Sequence, residues 1–372
     1  MNDSAVNPII KKFVREQMDI SIDRYSDKGA YGELYFGTRN VFGDRVALKF
    51  YELDASGNGH EEAQLLKNIS HENILPIIDA RILDSDIAYY LTPEMSGGDL
   101  QNVIDKFIIP TDVGVTICQN ILKGLNELHK DPNRMVHRDL KTYNILVDLK
   151  NGVQTYLADF GTIKKIQPNN SSVTASKYTI LYRTPEALTS NQHLIQSDIY
   201  QIGIILYQVL GGFFPMKNPE AWLNGRIKKK YDSLENWQKQ GFLINHINDL
   251  IQKGKLLDMD TLPSYIDNRL KTIIRIATRV DYNQRYESCA DMLKALFDQQ
   301  KGAKSWWIDN GIINAKCLKS NGRYRIVQKK SNLIAEYSTN GTTWRKKFDG
   351  TEKELIKEIT EHNRIARPAS KR

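Results

Sequence analysis

The pattern of apolar and polar positions divides the chain into a strand-rich first part and a mostly helical second part. Positions 31–36 alternate between the two classes and positions 45–50 form a short apolar run, as expected of neighbouring strands. Apolar residues at 61–69 recur at helical spacing. After residue 98 the spacing becomes helical, most clearly at 113–129, and the segment 199–210 is apolar on nearly every side. That segment is therefore predicted to be a buried helix.

The C-terminal part of the chain returns to short strands. Residues 306–348 contain such strands, with turn signals at 320–322 and 340–341, and a helix is predicted at 351–365. Residues 301–372 contain 17 Lys and Arg against 7 Asp and Glu, whereas the first 300 residues contain 35 and 37. We therefore expect an N-terminal extension at 1–20, a main domain at 21–300 and a small basic β-then-α module at 304–372.

Composition excludes several classes of protein. With 41% hydrophobic and 26% charged residues, the chain is typical of a globular protein. No uninterrupted apolar run reaches the roughly 18 residues that a membrane helix needs, and no secretory signal is visible. The three cysteines, Cys118, Cys289 and Cys317, are far apart in sequence and are predicted to be reduced core thiols. The expectation is a cytoplasmic protein without a membrane partner.

Two motifs in the strand-rich part suit a nucleotide. Gly29 and Gly32 lie in a turn between strands, where backbone N–H groups can approach a phosphate, although a plain hairpin turn has the same pattern. Lys49 ends the apolar strand 46–49, and Glu62 follows thirteen residues later on a predicted helix. A Lys–Glu pair of this kind holds the ammonium against nucleotide phosphates.

Two further motifs lie in the helical part. The run 136–144 places Asp139, Lys141 and Asn144 within six residues, so that an acid can accept a hydroxyl proton, a cation can neutralise phosphoryl charge and an amide can bind a divalent ion. Asp159 in the sequence Asp-Phe-Gly offers a second ligand for magnesium, a cation that prefers oxygen. Either motif alone is also compatible with a solvated polar loop.

The ordered set of four motifs resembles the eukaryotic-like (Hanks-type) protein kinases over about residues 25–296. The resemblance implies an α+β fold: a bilobal protein kinase with a β-rich N-lobe at about 21–95 and a helical C-lobe at about 96–300, here followed by the basic module. It also implies that Glu186 in Thr-Pro-Glu pairs with Arg285, and that Asp198 lies in a buried helix. The stretch 285–296 resembles bacterial members, so a soluble bacterial kinase is expected.

The resemblance also implies the site residues. Lys49, Glu62, Asp139 and Lys141 would be catalytic, and Asn144 and Asp159 would bind Mg²⁺, or Mn²⁺ in its place. Residues expected to bind ATP are Gly29, Gly32, Leu34, Ala47, Lys49, Thr92, Pro93, Glu94, Met95 and Leu146. Asp27 replaces the first of the family's usual three glycines, which we expect to change nucleotide affinity modestly.

Substrate class follows from the same resemblance. Lys141, two residues after Asp139, and Thr179 are similar to residues of Ser/Thr-type members. Arg138 resembles an arginine that often pairs with a phosphorylated activation segment. The candidates for that phosphate are Ser171, Ser172, Thr174, Ser176 and Thr179; the alternative is a mobile polar loop at 171–176.

Two regions are not explained by the resemblance. Residues 222–242 contain aromatic residues around three lysines and could be a docking insertion or an enlarged helical lobe. The basic tail could recruit a protein substrate or other partner, bind nucleic acid through interleaved aromatic and basic residues, or brace the kinase domain. Two functions therefore stay open, an active Ser/Thr kinase with its protein substrates and a nucleotide-responsive scaffold whose tail carries the function.

Overall fold

The computed structural model describes residues 7–26, 33–53, 61–176, 180–300 and 304–362. The elements up to residue 160 are α1 Pro8–Glu16, β1 Ile20–Ser26, β2 Leu34–Arg39, β3 Arg45–Glu52, α2 Glu61–Asn68, β4 Asp79–Asp84, β5 Ile87–Pro93, β6 Gly98–Asp99, α3 Leu100–Lys106, α4 Thr111–His129, β7 Met135–Val136, β8 Ile145–Asp148 and β9 Gln154–Leu157.

The remaining elements are β10 Lys164–Lys165, β11 Val173–Thr174, α5 Pro185–Thr189, β12 Gln192–His193, α6 Ile195–Val209, α7 Gly225–Asp232, α8 Asn236–Gln252, α9 Asn268–Ala277, α10 Cys289–Gln300, β13 Lys304–Asp309, β14 Ile312–Cys317, β15 Arg323–Lys329, β16 Asn332–Ser338, β17 Arg345–Asp349 and α11 Glu352–Glu361. A β-rich start, a helical middle and a terminal β-then-α segment confirm the α+β prediction.

The chain forms two compact units. The first comprises Met1–Leu100 together with Tyr143–Ile163, and the second comprises Gln101–Thr142 with Lys164–Arg372. From sequence we expected the N-lobe to be the single segment at about 21–95, but in the structure residues 143–163 also belong to the first unit. They join the first unit because β8 pairs with both β6 and β9, and because Ile74 forms a bridge with Leu157.

The first unit is built on a five-stranded antiparallel sheet in the order β1-β2-β3-β5-β4. Strand β3 contributes one face to the core, where Val46, Leu48 and Phe50 are fully buried. Helix α1 packs on that face, with the Phe13 ring 6.0 Å from Phe50 and 5.2 Å from Tyr89, measured between ring centroids. The segment expected to be a separate N-terminal extension therefore belongs to the core of the sheet.

The second unit has helix α6 at its centre. Every residue of α6 from Ser197 to Val209 is buried, which confirms the prediction made from its apolar sequence. Helix α4 packs against α6 and α10, and α9 packs against α6. Cys118 and Cys289 lie in these helices and Cys317 in β14; all three are free and buried, as predicted. Among the described residues, no helix is both long and apolar enough to cross a membrane.

Residues 222–242 form helical structure, in agreement with an enlarged helical lobe. Trp222 and Tyr231 are buried, and Lys228 binds Glu220 at 2.8 Å and Asp232 at 2.6 Å. Trp237 is the exception, because its side chain is 81% exposed on α8. If this region were a docking insertion, as the sequence also allowed, the exposed Trp237 would be its contact residue.

The C-terminal module is an antiparallel meander, β13-β14-β15-β16-β17, with α11 packed on one face. Its first strand contacts α4: the Trp306 N–H donates to the Thr111 hydroxyl at 3.0 Å, and the Ser305 hydroxyl donates to Asp112. The Trp306 ring stacks on Tyr265 with 5.9 Å between centroids. The module is therefore packed on the helical core of its own unit.

The aromatic residues of the tail do not form a stacking surface for bases. Tyr324 is 1% exposed, and Phe348 packs against the same core as Leu355 and Ile359. Trp344 is covered by the Arg325 guanidinium, 4.4 Å from the ring centroid. Binding of nucleic acid through these residues would require the aromatic and the basic side chains to face solvent together. Since the three aromatic side chains are buried or covered, the structure gives no support to nucleic-acid binding by the tail.

A buried ion pair joins α5 to the segment before α10. Arg285 donates to both oxygens of Glu186 at 2.9 and 2.8 Å, and the two side chains are 0% and 3% exposed. Burial alone would raise the pKa of Glu186, but the hydrogen bonds and charge of Arg285 outweigh it and hold the pKa below its usual value. The sequence-predicted pair therefore forms in the structure.

We predict that Arg285→Met lowers the free energy of unfolding by about 3–5 kcal/mol, because it leaves the Glu186 carboxylate buried and uncompensated. Urea denaturation measures this value. Lys253→Gln, which removes an exposed pair with Asp249, is the matched control and should cost under about 0.5 kcal/mol.

The pH dependence of this difference follows from the lowered pKa of Glu186. The pair stabilises the fold above the unfolded-state value for Glu, about 4.3, and is lost as pH falls through the lower folded-state value. In Arg285→Met burial is left to raise the pKa of Glu186. The difference in unfolding free energy between wild type and Arg285→Met should thus be largest near neutral pH and shrink steadily as the pH falls towards about 4 and below. An equal loss for Arg285→Met and the control at neutral pH would refute the structural role.

Candidate functional site

One face of the first unit's sheet collects the residues predicted to bind a nucleotide. The register pairs Leu34 with Lys49 and Ala47 with Thr92. Since directly paired residues project from the same face of an antiparallel sheet, these four side chains share one face. Helix α1 covers the opposite face, so the predicted nucleotide face is the one that carries Lys49.

Lys49 is held by two carboxylates. Its ammonium lies 3.1 Å from both oxygens of Glu62 on α2 and 3.1 Å from Asp159. Burial disfavours the ammonium, but Tyr90, Glu62 and Asp159 outweigh that effect and raise the pKa of Lys49. The lysine is therefore a fixed, permanently protonated cation, as needed by a group that binds phosphate oxygens.

Tyr90 belongs to this cluster, and the sequence analysis missed it. Its hydroxyl donates to Glu62 Oε1 at 2.9 Å, and the residue is 3% exposed. The signal was the strand register: if Ala47 pairs with Thr92, the antiparallel ladder pairs Lys49 with Tyr90, as the structure shows. Periodicity alone does not give that register, since it needs one known pair to fix the offset.

The two predicted metal ligands lie on connected segments. The Ala158 N–H donates to the Asn144 carbonyl at 3.0 Å, which joins the segment of Asp159 to that of Asn144. Asp159 has a positive φ of 59°, a strained conformation that recurs at functional sites. A carboxylate oxygen and an amide oxygen are ligands that suit a hard divalent cation, so this donor set fits Mg²⁺.

The segment after β5 is fixed by charged and apolar contacts. Glu94 accepts from Arg45 at 2.7 Å and also from Arg24, and its N–H donates to the Arg45 carbonyl at 3.0 Å. The Glu94 side chain is thus engaged in holding the segment. Met95 packs with Leu75, Ala158 and Leu146 in an apolar cluster. Leu146 and Met95, both predicted to contact a nucleotide, therefore belong to one apolar cluster.

In the second unit, Asp139 and Lys141 are adjacent on one loop. The Lys141 ammonium lies 2.6 Å from Asp139 Oδ2, and the two side chains are 15% and 3% exposed. A carboxylate and an ammonium therefore lie together on this loop, at the positions that the sequence motif singled out.

A second buried carboxylate orients this loop. Asp198 on α6 accepts the backbone N–H of His137 at 2.8 Å and of Arg138 at 3.0 Å, and it also lies 2.8 Å from ring nitrogens of His129 and His193. Burial would raise the pKa of Asp198, but His193 and His129 lower it strongly. The two N–H bonds hold Arg138 at a φ of 74°, immediately before Asp139.

The candidate phosphorylation residues differ in accessibility. Ser171 and Thr174 are exposed, and Thr174 lies in β11, paired with β12. Ser172 is half-buried, and the Ser176 hydroxyl is buried without a hydrogen-bond partner. Gly29, Gly32, Asp27 and Thr179 lie outside the described residues.

Comparison with known proteins agrees with this geometry. A family model described as the protein kinase domain matches residues 27–298. Serine/threonine-protein kinase CLA4 of Candida albicans is 27% identical over 313 residues, which are 82% of this chain and 29% of that protein. Mitogen-activated protein kinase kinase kinase 3 of Arabidopsis thaliana is 32% identical over 198 residues, covering 50% of this chain and 30% of the relative.

This chain therefore spans less than a third of the length of these relatives. The family model, in contrast, covers well over half of the chain and includes the Lys49–Glu62 pair and the Asp139 loop. The chain belongs to the protein kinase domain family.

Proposed function

We propose that this chain transfers the γ-phosphate of ATP to serine and threonine hydroxyls of protein substrates. The observation that carries the proposal is the closed contact of Lys49 with both Glu62 oxygens and with Asp159, all at 3.1 Å. A structural role alone would not require an ammonium between two carboxylates on this face of the sheet, because all three side chains are partly shielded from water and such shielding of ionised groups is costly.

On the donor side, Lys49 would bind phosphate oxygens of ATP while Glu62 keeps its ammonium in place. Asp159 and Asn144 would hold a divalent cation, expected to be Mg²⁺. When bound, that cation neutralises charge that develops on the transferred phosphoryl group. The Lys49–Asp159 contact supplies a counter-charge for each partner.

On the acceptor side, Asp139 would align the attacking hydroxyl and accept its proton. Lys141, 2.6 Å from Asp139, would neutralise charge on the phosphoryl oxygens. A hydroxyl on serine or threonine is the acceptor favoured by this Asp-x-Lys arrangement under the family resemblance. Several relatives, including CLA4, are named as serine/threonine-protein kinases.

For the basic module we propose recruitment of an acidic protein substrate. The register places Lys316 beside Arg323 on the sheet face opposite α11, and both are exposed. Charge complementarity favours an acidic segment on this face. In the scaffold alternative the same surface binds a partner but no phosphate is transferred. Replacing Asp139 therefore distinguishes the two functions, because only the kinase function depends on this residue. The cytoplasmic location and bacterial source remain predictions from sequence.

The central test is incorporation of labelled γ-phosphate from Mg-ATP by wild type and Asp139→Asn, with the modified sites mapped by mass spectrometry. Wild type should label serine and threonine, with Ser171 and Thr174 the accessible sites of the activation segment. Asp139→Asn should fall by at least about 100-fold, because it loses the base. Absence of labelling in wild type despite measurable ATP binding would favour the scaffold.

In the same assay, Lys49→Met should abolish transfer while the melting temperature stays near that of wild type, because Glu62 keeps its other donors. Lys67→Met, an exposed lysine at the end of α2, is the matched control and should retain full activity. If folded Lys49→Met protein transfers phosphate at the wild-type rate, the proposed role of Lys49 in binding ATP phosphates is wrong.

Recruitment is tested by the double charge reversal Lys316→Glu/Arg323→Glu. It should weaken phosphorylation of dephosphorylated casein, an acidic protein, and leave a short Ser/Thr peptide unaffected, since the peptide is too small to reach the module. The control Lys353→Glu/Lys357→Glu changes the same charge on exposed positions of α11. If both double variants weaken casein phosphorylation equally, the effect comes from net charge alone, which would contradict the proposed surface.

A further inference from the structure

The Tyr90 hydroxyl makes a contact that side-chain packing does not explain. The residue lies on β5 directly opposite Lys49 on β3, and its hydroxyl donates to Glu62 Oε1 at 2.9 Å. A phenylalanine would fill the same volume within the sheet. The hydroxyl therefore has a specific electrostatic role, which is the hydrogen bond to an ionised carboxylate.

Among the residues that the structure describes, three donors converge on Glu62. Besides Tyr90, these are the Lys49 ammonium at 3.1 Å and the Phe160 backbone N–H at 3.0 Å. Under the proposed function, Lys49 must also serve the phosphates of ATP. Phe160 follows Asp159, a residue in a strained left-handed conformation that is a candidate metal ligand. Under the proposed function, one of these donors, Lys49, would itself bind a ligand, and another, the Phe160 N–H, directly follows a candidate metal ligand.

Tyr90 is the donor that does not engage a ligand. Strand β5 pairs with β3 on one side and β4 on the other, so its backbone is held by ladders at both edges. Burial raises the pKa of the Tyr90 phenol well above its usual value, which keeps the hydroxyl protonated and able to donate. The tyrosine ring also lies 5.7 Å from the Lys49 ammonium, measured to the centroid.

We propose that Tyr90 is a positioning residue for phosphoryl transfer: it anchors the Glu62 carboxylate, and through it helix α2 and the Lys49 ammonium, to β5, an interior strand of the sheet. The proposal rests on the proposed kinase function for its kinetic consequence, but its structural part, the anchoring of α2, is independent of activity. Tyr90 touches neither nucleotide nor substrate in this role.

The test compares Tyr90→Phe with Tyr89→Phe. Tyr89 is the neighbouring residue on β5, projects to the opposite face and packs with Phe13 and Phe50, so its loss of a hydroxyl is the matched control. We expect Tyr90→Phe to lower kcat/KM for ATP about tenfold or more, the effect of losing a hydrogen bond to a charged group, and Tyr89→Phe to stay within about twofold.

A double-mutant comparison separates positioning from general packing. If Tyr90 acts through Glu62, adding Tyr90→Phe to Glu62→Gln should reduce kcat/KM by less than about twofold further. An additional tenfold loss on that background would overturn the proposal, because the tyrosine would then act by another route.

Amide hydrogen exchange in α2 provides a readout that does not need activity. Tyr90→Phe should accelerate exchange in 61–68 relative to both wild type and Tyr89→Phe, because the helix loses its fixed anchor. Unchanged exchange in α2 would overturn the anchoring role. If wild type transfers no phosphate but α2 loosens in Tyr90→Phe, the proposed function fails and the anchoring role stands.

Discussion

A carboxylate shielded from water must be paired, and each unit of this chain contains one that collects several donors: Glu62, which is partly buried, and Asp198, which is fully buried. In the first unit Glu62 collects donors from β3, from β5 and from the segment after β9. Because an unpaired carboxylate away from water is costly, the elements that supply these donors are held together. The position of Lys49, and with it the proposed phosphate contact, is a consequence of that requirement.

Asp198 does the same for the second unit. It accepts two consecutive backbone N–H groups at 2.8 and 3.0 Å, just before Asp139, and is paired with two histidines. The loop that carries the proposed base is therefore oriented by a carboxylate on a buried helix, and the strained φ of Arg138 is held by those bonds. In both units a carboxylate thus fixes a neighbouring segment: Glu62 holds the Lys49 ammonium, and Asp198 holds the backbone just before Asp139.

Sequence reasoning went furthest where a short motif has one physical interpretation. The buried helix α6, the contact of Lys49 with Glu62 and the β-then-α tail were predicted from local patterns, and the Glu186–Arg285 pair was implied by the resemblance to the protein kinases. The role of Tyr90 was missed because it depends on strand register, which local periodicity leaves open.

Other features required tertiary information. Helix α1 looked like an extension, since nothing in 8–16 shows that Phe13 will pack on Phe50. The grouping of 143–163 with the first unit depends on pairing between β6 and β8, which are far apart in sequence. In the tail, alternation showed that aromatic and basic residues interleave but not which of them face α11. Tyr324 and Phe348 face α11 and are therefore not available to stack on bases, so the structure does not support nucleic-acid binding by the tail.

The measurement that tests the account most directly is the rate of γ-phosphate transfer at saturating Mg-ATP by wild type and Glu62→Gln, with ATP occupancy checked by equilibrium binding. Glutamine preserves shape but removes the charge that holds Lys49. The account predicts that both proteins fold and bind ATP, and that transfer by Glu62→Gln is slower by about tenfold or more. Equal rates at equal occupancy would contradict it, because Lys49 would then be positioned without the carboxylate on which the first unit is built.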